Sequence, residues 1–338
     1  MTKNSQEFVG VILAAGKGER LFPLTSTIPK PLLPFAGIEV ISYAAYALRQ
    51  AGVERLLVNV HHLGEQLIAY GKNNPFGFSF AVSDERDALL GTGGALAAME
   101  GLREGCGLLV VNGDIITDFP LSSLLDFHKE EAVVATMALL PKPLPRELKI
   151  WCKEGRVLAI GGEEAPQLGA TPHGFACMQV LGEEFLELLP AKKSFGIMET
   201  YRLAIARGLA IGGFCREAFW YDIGTPQAYL QAHRALLSWW AKKPFSSSYD
   251  PLGVIALQEI CGKKMQFLPS QLGGPSLLAA NYSLPEDTVL GPFVVIDENC
   301  AVAKGVKLAE AVLLSRSSVA AGQTVVRAIL SPDWIVPC

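Results

Sequence analysis

Apolar residues recur at every sixth position near the end of this chain, and this repeat restricts the possible fold more than any other feature of the sequence. The repeat and a second apolar set with the same period comprise Leu284, Leu290, Ile296, Val302, Leu308, Leu314, Ala320 and Val326, then Val294, Val306, Val312 and Leu330. A six-residue period is typical of a parallel β-helix, in which each hexad forms one flat side of a triangular coil. It predicts a short parallel β-helix over residues 284–335, which we expect to dock on a neighbouring domain or on another subunit.

Before this repeat, short β-rich runs alternate with amphipathic segments. The predicted strands are Phe8–Ala14, Arg55–Val60, Phe78–Ser83, Gly107–Val111, Ala132–Leu139, Arg156–Ile160, Phe175–Leu181, Leu209–Phe214 and Ala218–Tyr221. The predicted helices are Ile41–Ala51, Thr92–Leu102, Ile197–Arg207, one after Ser122 or Ser123 as N-cap, and one that begins at Pro226 with Thr225 as its cap. This alternation predicts a mostly parallel sheet with helices on both faces.

The length of 338 residues indicates two domains. We predict one domain over residues 1–243 and the other over residues 284–335. The segment between them, 244–283, contains most of the Pro- and Ser-rich stretch KKPFSSSYDP, which is typical of a linker. The rest of that segment shows no clear period and receives no prediction.

Charge and composition exclude several classes of function. A formal net charge of −4 argues against a nucleic-acid-binding protein, so any anionic ligand must meet a local basic site. The polar start MTKNSQEF is no signal peptide, and no apolar stretch is long enough to span a bilayer. Seven cysteines without a CxxC pair predict reduced thiols. We therefore expect a cytoplasmic protein that binds neither nucleic acid nor membrane.

The stretch GVILAAGKGERLFPLTSTIPKPLLP, residues 10–34, joins an apolar run to two glycines and several basic residues. It does not match the dinucleotide-binding pattern, which requires a glycine where Leu21 stands. Nor does it match the P-loop, because Gly18 follows the lysine where that pattern requires a hydroxyl residue. Both common templates for a glycine-rich phosphate loop are therefore excluded.

The same stretch still has the residues that an anion site requires. Gly16 and Gly18 allow backbone N–H groups to close on an anion where a side chain would collide. Arg20 presents a planar fork that suits the β- and γ-phosphates of a nucleotide. Lys30, held between two prolines, offers a point charge to the α-phosphate and to an incoming phosphate.

This stretch resembles the signature of the sugar-1-phosphate nucleotidyltransferases. The matching residues read LAAGKGERL from Leu13 and PKPL from Pro29. The resemblance implies that Leu13, Ala14, Ala15, Gly16 and Gly18 bind the nucleotide. It also implies that Arg20 and Lys30 are catalytic.

A second segment, SDERDALLGTGGAL at residues 83–96, resembles the base-recognition segment of that family. Thr92, Gly93 and Gly94 open a predicted helix, so their N–H groups and close backbone approach are available to a base or ribose. Glu85 would accept protons from the edge of the base. Guanine and uracil both present such donors, so the choice between GTP and UTP stays open.

Two aspartates lie where the family holds its catalytic metal. Asp114 ends the predicted strand of LLVVNGDIITD, at the position where ligands bind in open α/β sheets, and Gly113 beside it is assigned to the nucleotide. Asp222 precedes the helix that begins at Pro226. Two carboxylates suit one Mg²⁺ that also takes phosphate oxygens. The resemblance implies that Asp114 and Asp222 are both catalytic and metal-binding.

The sugar side is implied by the resemblance alone. Family members use a glycine on a strand and an acid on the following helix, and Gly174 and Glu199 stand at the matching places. The family lysine for the sugar phosphate has no clear counterpart in PKPLPRELKIW, residues 141–151. Lys149 is the assigned candidate, and Lys142 or Arg146 would serve as well.

The resemblance implies a Rossmann-like α/β nucleotidyltransferase domain with a mostly parallel mixed sheet, followed by a short left-handed β-helix as in mannose-1-phosphate guanylyltransferase-like enzymes. It implies synthesis of an NDP-sugar from an NTP and a sugar 1-phosphate, and we expect a homo-oligomer that associates through the β-helix or a sheet edge. Two alternatives stay open: a uridylyltransferase acting on N-acetylmuramate 1-phosphate or glucose 1-phosphate, and a non-catalytic regulatory subunit. A hexapeptide-repeat acyltransferase is disfavoured because no histidine follows His233.

Overall fold

The computed structural model of the chain describes residues 7–145, 147–190, 194–242, 250, 252–268, 274–280 and 282–338. Packing divides the chain into two compact units. Unit 1 comprises Met1–Gly16 and Ala44–Trp220, and unit 2 comprises Lys17–Tyr43 and Tyr221–Cys338. The consecutive domains expected from the sequence, 1–243 and 284–335, stay a prediction, and most of the linker stretch KKPFSSSYDP lies outside the described residues. Within the described ranges, none of the helices has the length and apolar character that crossing a membrane requires.

In the described residues, strands and helices alternate up to Lys242, and the elements after it are strands apart from one helix. The strands up to residue 215 are β1 (Phe8–Leu13), β2 (Pro34–Phe35), β3 (Ile38–Glu39), β4 (Arg55–Val60), β5 (Ser79–Asp84), β6 (Gly107–Asn112), β7 (Ile115–Thr117), β8 (Ala135–Leu140), β9 (Ile150–Lys153), β10 (Arg156–Ile160), β11 (Thr171–Leu181) and β12 (Ile211–Cys215). The later strands are β13 (Trp220–Asp222), β14 (Met265–Leu268), β15 (Ser276–Ala279), β16 (Val289–Leu290), β17 (Val294–Ile296), β18 (Ala301–Val302), β19 (Lys307–Leu313), β20 (Ser318–Val319), β21 (Thr324–Leu330) and β22 (Ile335–Pro337).

The helices connect these strands. They are α1 (Val40–Gln50), α2 (Gly64–Lys72), α3 (Gly91–Ala98), α4 (Glu100–Arg103), α5 (Leu121–Glu130), α6 (Glu183–Leu186), α7 (Ile197–Ala206), α8 (Pro226–Lys242) and α9 (Val254–Ile260). Short 3-10 turns cover Glu19–Leu21, Leu24–Ser26 and Lys30–Leu32.

Unit 1 is built on a mixed sheet whose described strands follow the order β5-β4-β1-β6-β11-β8-β12-β10-β9. Strands β5, β4, β1 and β6 are parallel to one another, as the alternation in the sequence predicts. Strand β11 runs antiparallel between β6 and β8, and β10 pairs antiparallel with β9 and β12. Strands β8 and β12 form a further parallel pair, so the antiparallel members of this mixed sheet are β11 and β10.

Local signals located most of the strands and helices before residue 243 but misplaced some ends. The predicted N-cap at Ser122 or Ser123 is wrong, because α5 begins at Leu121 and both serines lie inside it. The cap at Thr225 is confirmed: its Oγ1 accepts the N–H of Ala228 at 3.1 Å. Strand β9 and helix α2 were not predicted, and α2 has no side-chain cap at its start.

In unit 2, Ser276–Pro337 forms a stack of mostly parallel strands, here called the C-terminal stack. The early pairs are 18 residues apart, as in Ser276 with Val294 and Val289 with Lys307. From Val295 onward the pairs are 17 residues apart, as in Ala301 with Ser318. The step shorter by one residue moves the repeat out of phase. The sequence predicted an unbroken six-residue period, and this is wrong after Leu308, because Ile296 pairs with Leu313 rather than with Leu314.

The shift in phase exchanges which residues are buried. Val319 and Val325 pair with Val302 and Leu308, and both are buried in the core of the stack. The predicted core residue Val326 is 54% exposed instead. Ala320 is exposed as well. A count of residues along one strand cannot detect this change, because it arises in a turn.

Turns of the C-terminal stack carry left-handed residues that recur with the same step. They form three series with positive φ: Asp287, Gly305 and Gly322; Phe293, Glu310 and Arg327; and Asn299 and Arg316. Left-handed backbone costs a non-glycine residue free energy, so the surrounding strand pairs must hold these turns in place. Three series of turns fit a coil with three sides.

The described part of residues 252–283, which received no prediction above, belongs to unit 2. Helix α9 is followed by β14, which pairs antiparallel with β15, and β15 begins the parallel stack. Met265 on β14 packs so closely on Gly37 that a Cβ there would lie 2.8 Å from its sulfur. The segment therefore joins the stack to the β2–β3 hairpin, a contact too distant in sequence to be predicted.

A buried histidine connects α8 to this hairpin within unit 2. His233 is 1% exposed, and its Nδ1 donates to the carbonyl of Tyr229 at 3.0 Å. Its Nε2 accepts the N–H of Ala36 at 3.2 Å, so a proton there would oppose a donor. Burial is the main cause that lowers the pKa of His233 to about 4.

This histidine predicts how stability depends on pH. Because its pKa is lower in the folded than in the unfolded chain, its contribution is present above about pH 6.5 and is lost as the pH falls toward 4. The full loss for such a shift is about 3 kcal/mol. We expect His233→Gln to be less stable at pH 7.5 but to lose less stability between pH 7.5 and 5, measured by urea unfolding.

A matched control is His62→Gln, since His62 is a partly exposed histidine in the turn before α2. Equal slopes for His233→Gln and wild type would contradict the prediction.

Candidate active site

In unit 1, the carboxyl ends of four parallel strands meet at one edge of the sheet. Leu13 at the end of β1 lies in register with Asn59 on β4 and Asn112 on β6. Asn59 is in turn in register with Ser83 on β5. Segments that follow these strands therefore start side by side, although they are far apart in sequence.

A cavity of about 230 Å³ opens at this edge. It is lined by Leu13, Ala15, Gly16, Asn59, Glu85, Leu89, Gly91, Thr92, Asn112 and Asp114. Six of these residues were predicted from the sequence: Leu13, Ala15, Gly16, Glu85, Thr92 and Asp114. Sequence reasoning missed Asn59, Leu89, Gly91 and Asn112, although the position of both asparagines at strand ends was a usable signal.

Glu85 is buried, and its carboxylate is bonded to the protein itself. It is 3% exposed, and its Oε1 accepts the Nδ2 of Asn59 at 2.8 Å. Its Oε2 accepts the backbone N–H of Leu90 at 2.9 Å, just before α3. Glu85 thus lines the cavity while both of its oxygens already accept protein donors, and its direct contact with a base stays a prediction.

The first turn of α3 is held by a neighbouring segment of unit 1. The N–H groups of Gly93 and Gly94 donate to the carbonyl of Phe195 at 3.0 and 3.4 Å. The Oγ1 of Thr92 accepts the N–H of Ile197 at 3.0 Å. A Cβ at Gly93 would collide with the ring of Phe195. The protein itself uses these groups, and their predicted contact with nucleotide stays a prediction.

Two other predicted nucleotide ligands also have partners in unit 1. The N–H of Ala14 donates to the Oδ1 of Asn59 at 2.7 Å, and the N–H of Gly113 donates to the carbonyl of Leu13 at 2.8 Å. Gly16 differs from both, because a Cβ there would meet no described atom within 4 Å. Packing does not require glycine at position 16, and the open space beside it suits close approach of a ligand to the backbone.

The predicted basic residues lie in unit 2 with Asp222. The Nζ of Lys30 is 3.3 Å from the Oδ1 of Asp222, and Nη2 of Arg20 is 3.8 Å from its Oδ2. The side chain of Lys30 is 9% exposed, whereas that of Arg20 is 70% exposed. A Cβ at Gly224 would lie 2.6 Å from Nη2 of Arg20, so this glycine leaves room for the arginine.

Gly18 shapes the loop that carries Arg20. It adopts a left-handed conformation with φ of 67°, and its carbonyl accepts the Oγ1 of Thr25 at 2.9 Å. A Cβ there would lie 2.8 Å from the methyl group of Thr25. Glycine at 18 is therefore required by the turn itself, and its predicted contact with phosphate stays a prediction.

The three residues assigned to the sugar lie in unit 1 but do not line the cavity at the strand ends. A Cβ at Gly174 would lie 2.7 Å from the carbonyl oxygen of Lys142, so packing alone explains this glycine. Lys149 forms an ion pair with Glu163, and Glu199 is exposed in the first turn of α7. Arg146 lies outside the described residues. The sugar assignments remain predictions.

Asp118, four residues beyond Asp114, is a carboxylate of unit 1 with a backbone partner. Burial raises the pKa of Asp118, although its Oδ1 accepts the N–H of Phe219 at 2.7 Å. This bond joins the segment after β7 to the residue before β13. Asp118 therefore supports the loop after Asp114 rather than offering a free ligand.

Comparisons with known proteins agree with this geometry. The nucleotidyl transferase family model matches residues 9–149. A UTP–glucose-1-phosphate uridylyltransferase from Synechocystis is 28% identical over 68% of this chain and 63% of its own length. Mannose-1-phosphate guanylyltransferase 1 from Arabidopsis thaliana is 28% identical over 90% of this chain and 80% of its own length.

Solved structures share the fold. A putative glucose-1-phosphate thymidylyltransferase from Bacillus anthracis, in complex with a sucrose, superposes with a TM-score of 0.58 at 23% identity, covering 67% of this chain and 93% of that one. A UDP-glucose pyrophosphorylase complexed with UDP-glucose gives a TM-score of 0.58 at 20% identity over 68% of this chain and 98% of that one. Residues 9–149 thus match the nucleotidyl transferase family model, and the chain as a whole is similar to curated sugar-1-phosphate nucleotidyltransferases.

Proposed function

We propose that this protein joins an NTP to a sugar 1-phosphate, giving an NDP-sugar and pyrophosphate. The observation that carries the proposal is the cavity in unit 1, where signature residues Leu13, Ala15 and Gly16 lie with Asp114. These signature residues and the carboxylate of Asp114 thus lie together at the edge of the sheet where α/β proteins bind ligands.

For this reaction the protein must mainly reduce the repulsion between negatively charged groups. A phosphate oxygen of the sugar attacks the α-phosphorus in line, the bond from that phosphorus to the bridging oxygen breaks, and pyrophosphate leaves. The nucleophile is already an anion at neutral pH, so no general base is needed. Lys30 and Arg20 lower the repulsion between two polyanions and stabilise the charge that develops.

The Lys30–Asp222 pair keeps this cation in place before substrates arrive. A lysine whose side chain is 9% exposed needs a partner for its charge, and Asp222 supplies one at 3.3 Å. Arg20 is exposed and 3.8 Å from the same carboxylate, so it is free to move to a phosphate. Lys30 acts as the fixed charge and Arg20 as the adaptable one.

The residue chemistry and the family resemblance also support a role for a magnesium ion in this proposal. Asp114 and Asp222 offer carboxylate oxygens, the ligands Mg²⁺ prefers, and the side chain of Asp222 is 33% exposed and so reachable. These two residues would hold the ion, which would supply neutralising charge to the phosphates. Asp222 would then serve both the metal and Lys30.

A guanylyltransferase acting on mannose 1-phosphate is the form that we favour. The match to the Arabidopsis guanylyltransferase covers 90% of this chain, whereas the match to the Synechocystis uridylyltransferase covers 68%. Because the longer match leaves only about a tenth of this chain uncovered, it includes at least part of the C-terminal stack. A uridylyltransferase acting on another sugar 1-phosphate is the second candidate, supported by that Synechocystis relative.

We further propose that residues 284–335 are a hexapeptide-repeat, left-handed β-helix and that it mediates homo-oligomerisation. Parallel pairs at steps of 17 and 18 residues and three series of left-handed turns support the first part. Strand β22 ends the order of the described strands in its sheet and bears Ile335, which is 60% exposed. This edge supports the second part.

A cytoplasmic location completes the proposal. All seven cysteines lie in the described part of the chain, and none of them forms a disulfide. Burial raises the pKa of Cys152, Cys215 and Cys300, which keeps these thiols protonated. Such thiols suit a reducing compartment.

The catalytic roles predict the effect of three substitutions. Asp114→Ala and Asp222→Ala should lower turnover by orders of magnitude, and Lys30→Ala should lower it about 10²–10³-fold, because each removes charge control in the transition state. Pyrophosphate release measures turnover, and circular dichroism checks the fold. Lys17→Ala in the same loop and Asp126→Ala on α5 are matched exposed controls. Near-normal turnover in either aspartate variant would refute the two-carboxylate metal site.

The substrates are tested by a matrix of four NTPs against several sugar 1-phosphates, with Mg²⁺ and pyrophosphate as the readout. We expect the highest kcat/KM with GTP and mannose 1-phosphate. A preference for UTP would establish the second candidate. No pyrophosphate with any pair would support the regulatory subunit instead.

The oligomer is tested by its mass in solution. Ile335→Asp should shift the mass measured by light scattering from that of an oligomer toward that of one chain, since a charge at an apolar edge opposes association. Leu168→Asp is the matched control, because Leu168 is 94% exposed and lies in unit 1. A monomeric wild type, or an unchanged mass for Ile335→Asp, would contradict the proposal.

A further inference from the structure

We propose that Asn59 and Glu85 are positioning residues that set the shape of the nucleotide cavity. Together they link the backbone of the signature loop at Ala14 to the backbone at Leu90, where α3 is about to begin. The inference rests on the proposed function, because it assigns the nucleotide to this cavity. It gives Glu85 an indirect role, in contrast to the direct contact with a base that the sequence predicted.

Three hydrogen bonds form one continuous chain between the two backbone amides. The N–H of Ala14 donates to Oδ1 of Asn59 at 2.7 Å, and Nδ2 of Asn59 donates to Oε1 of Glu85 at 2.8 Å. The N–H of Leu90 donates to Oε2 of Glu85 at 2.9 Å. These distances are those of well-formed hydrogen bonds.

Both side chains are buried, so the chain of bonds is shielded from water. Asn59 is 4% exposed and Glu85 is 3% exposed. A buried donor that faces another donor, or an acceptor that faces another acceptor, keeps its full desolvation cost. Water cannot repair such a mismatch, and the backbone at one end must then move.

The two ends of the chain impose a strict rule on the side chains between them. Both ends are N–H donors, so the outer atoms of residues 59 and 85 must both accept. The inner atoms must then form one bond with each other, which requires one donor and one acceptor. Residues 59 and 85 together must therefore supply a single donor group, and an amide with a carboxylate does so.

The walls that this chain connects are the walls of the cavity. Ala15 and Gly16 follow Ala14 directly, and Gly91 and Thr92 follow Leu90; all four line the cavity. A break between Asn59 and Glu85 lets the signature loop and the start of α3 move independently. The effect should fall on nucleotide binding, while the Lys30–Asp222 pair in unit 2 is not involved.

Isosteric substitutions test the rule without a change in volume. Asn59→Asp leaves no donor between the two backbone amides, so two carboxylate oxygens face each other. Glu85→Gln leaves two donor groups, so one donor must face another donor in this series of hydrogen bonds. The double variant N59D/E85Q restores a single donor. In it, the carboxylate at position 59 accepts from Ala14 and from the amide at position 85, which still accepts from Leu90, and the net charge is that of the wild type.

The expected kinetics distinguish positioning from direct recognition. Each single variant should raise KM for the NTP roughly ten-fold or more while KM for the sugar 1-phosphate changes little, and the double variant should return to within about three-fold of wild type. If Glu85 contacts the base directly, the double variant stays as impaired as Glu85→Gln, because an amide replaces the carboxylate there. That outcome would overturn the proposal, as would single variants with wild-type KM for the NTP.

A second measurement needs neither substrate nor turnover. Hydrogen exchange of the Ala14 and Leu90 amides should be faster in both single variants and slow again in the double variant. Unchanged exchange in the single variants would overturn the proposal. If a single variant folds poorly, the double variant still tests the proposal. It must then recover both the fold and the slow exchange of the two amides.

Matched controls and the wild type separate this inference from the proposed function. Asn73→Asp and Glu65→Gln make the same chemical changes at exposed positions of unit 1 and should leave both readouts unchanged. A wild type without transfer activity would refute the proposed function, whereas the exchange data would still decide whether the chain of bonds positions the two backbones. An active wild type with failed rescue would refute this inference alone.

Discussion

The register of β1 with its two neighbours is the constraint on which the cavity of unit 1 depends. Leu13 lies beside Asn59 on one side and Asn112 on the other, so the signature loop, the segment after β5 and the turn that contains Asp114 leave the sheet at one edge. A shift of register by one residue would turn each side chain to the opposite face. The buried bonds of Asn59 to Ala14 and Glu85 then connect the loop to the start of α3.

In unit 2, the important interaction is between two cationic side chains and the carboxylate of Asp222. A mostly buried lysine is stable there because Asp222 is 3.3 Å away, and the exposed Arg20 is near the other oxygen of the same carboxylate. Fixed and adaptable cations on one acid suit a reaction between two polyanions, because the fixed charge needs no reorganisation when substrates arrive. Glycine at 224 keeps the space that Arg20 occupies. The family match and this arrangement support the same chemistry.

How far the sequence predicts this structure depends on the range of the interaction. The strands β1, β4 and β6 and the cap at Thr225 follow from local patterns, and the structure confirms them. The six-residue repeat identified a parallel stack but not the shorter step that exposes Val326, because one residue removed in a turn leaves the strand pattern intact. The glycines of the predicted site also look alike in the sequence but differ in the structure. Gly16 has open space beside it, whereas Gly18 and Gly93 are required by the protein's own packing.

By itself, the sequence determined the signature loop and the acidic and basic residues able to bind phosphate and metal. It also determined the alternation of strands and helices from which the sheet is built. All of these depend on residue type and short spacing, which can be read along one chain. Only the tertiary structure decided what each group contacts. Glu85 has the chemistry of a base acceptor, yet its two oxygens accept Asn59 and Leu90, from residues 26 and 5 positions away. Hydrogen bonding in a buried site is decided by which donors the fold brings within 3 Å, and local sequence does not contain that information.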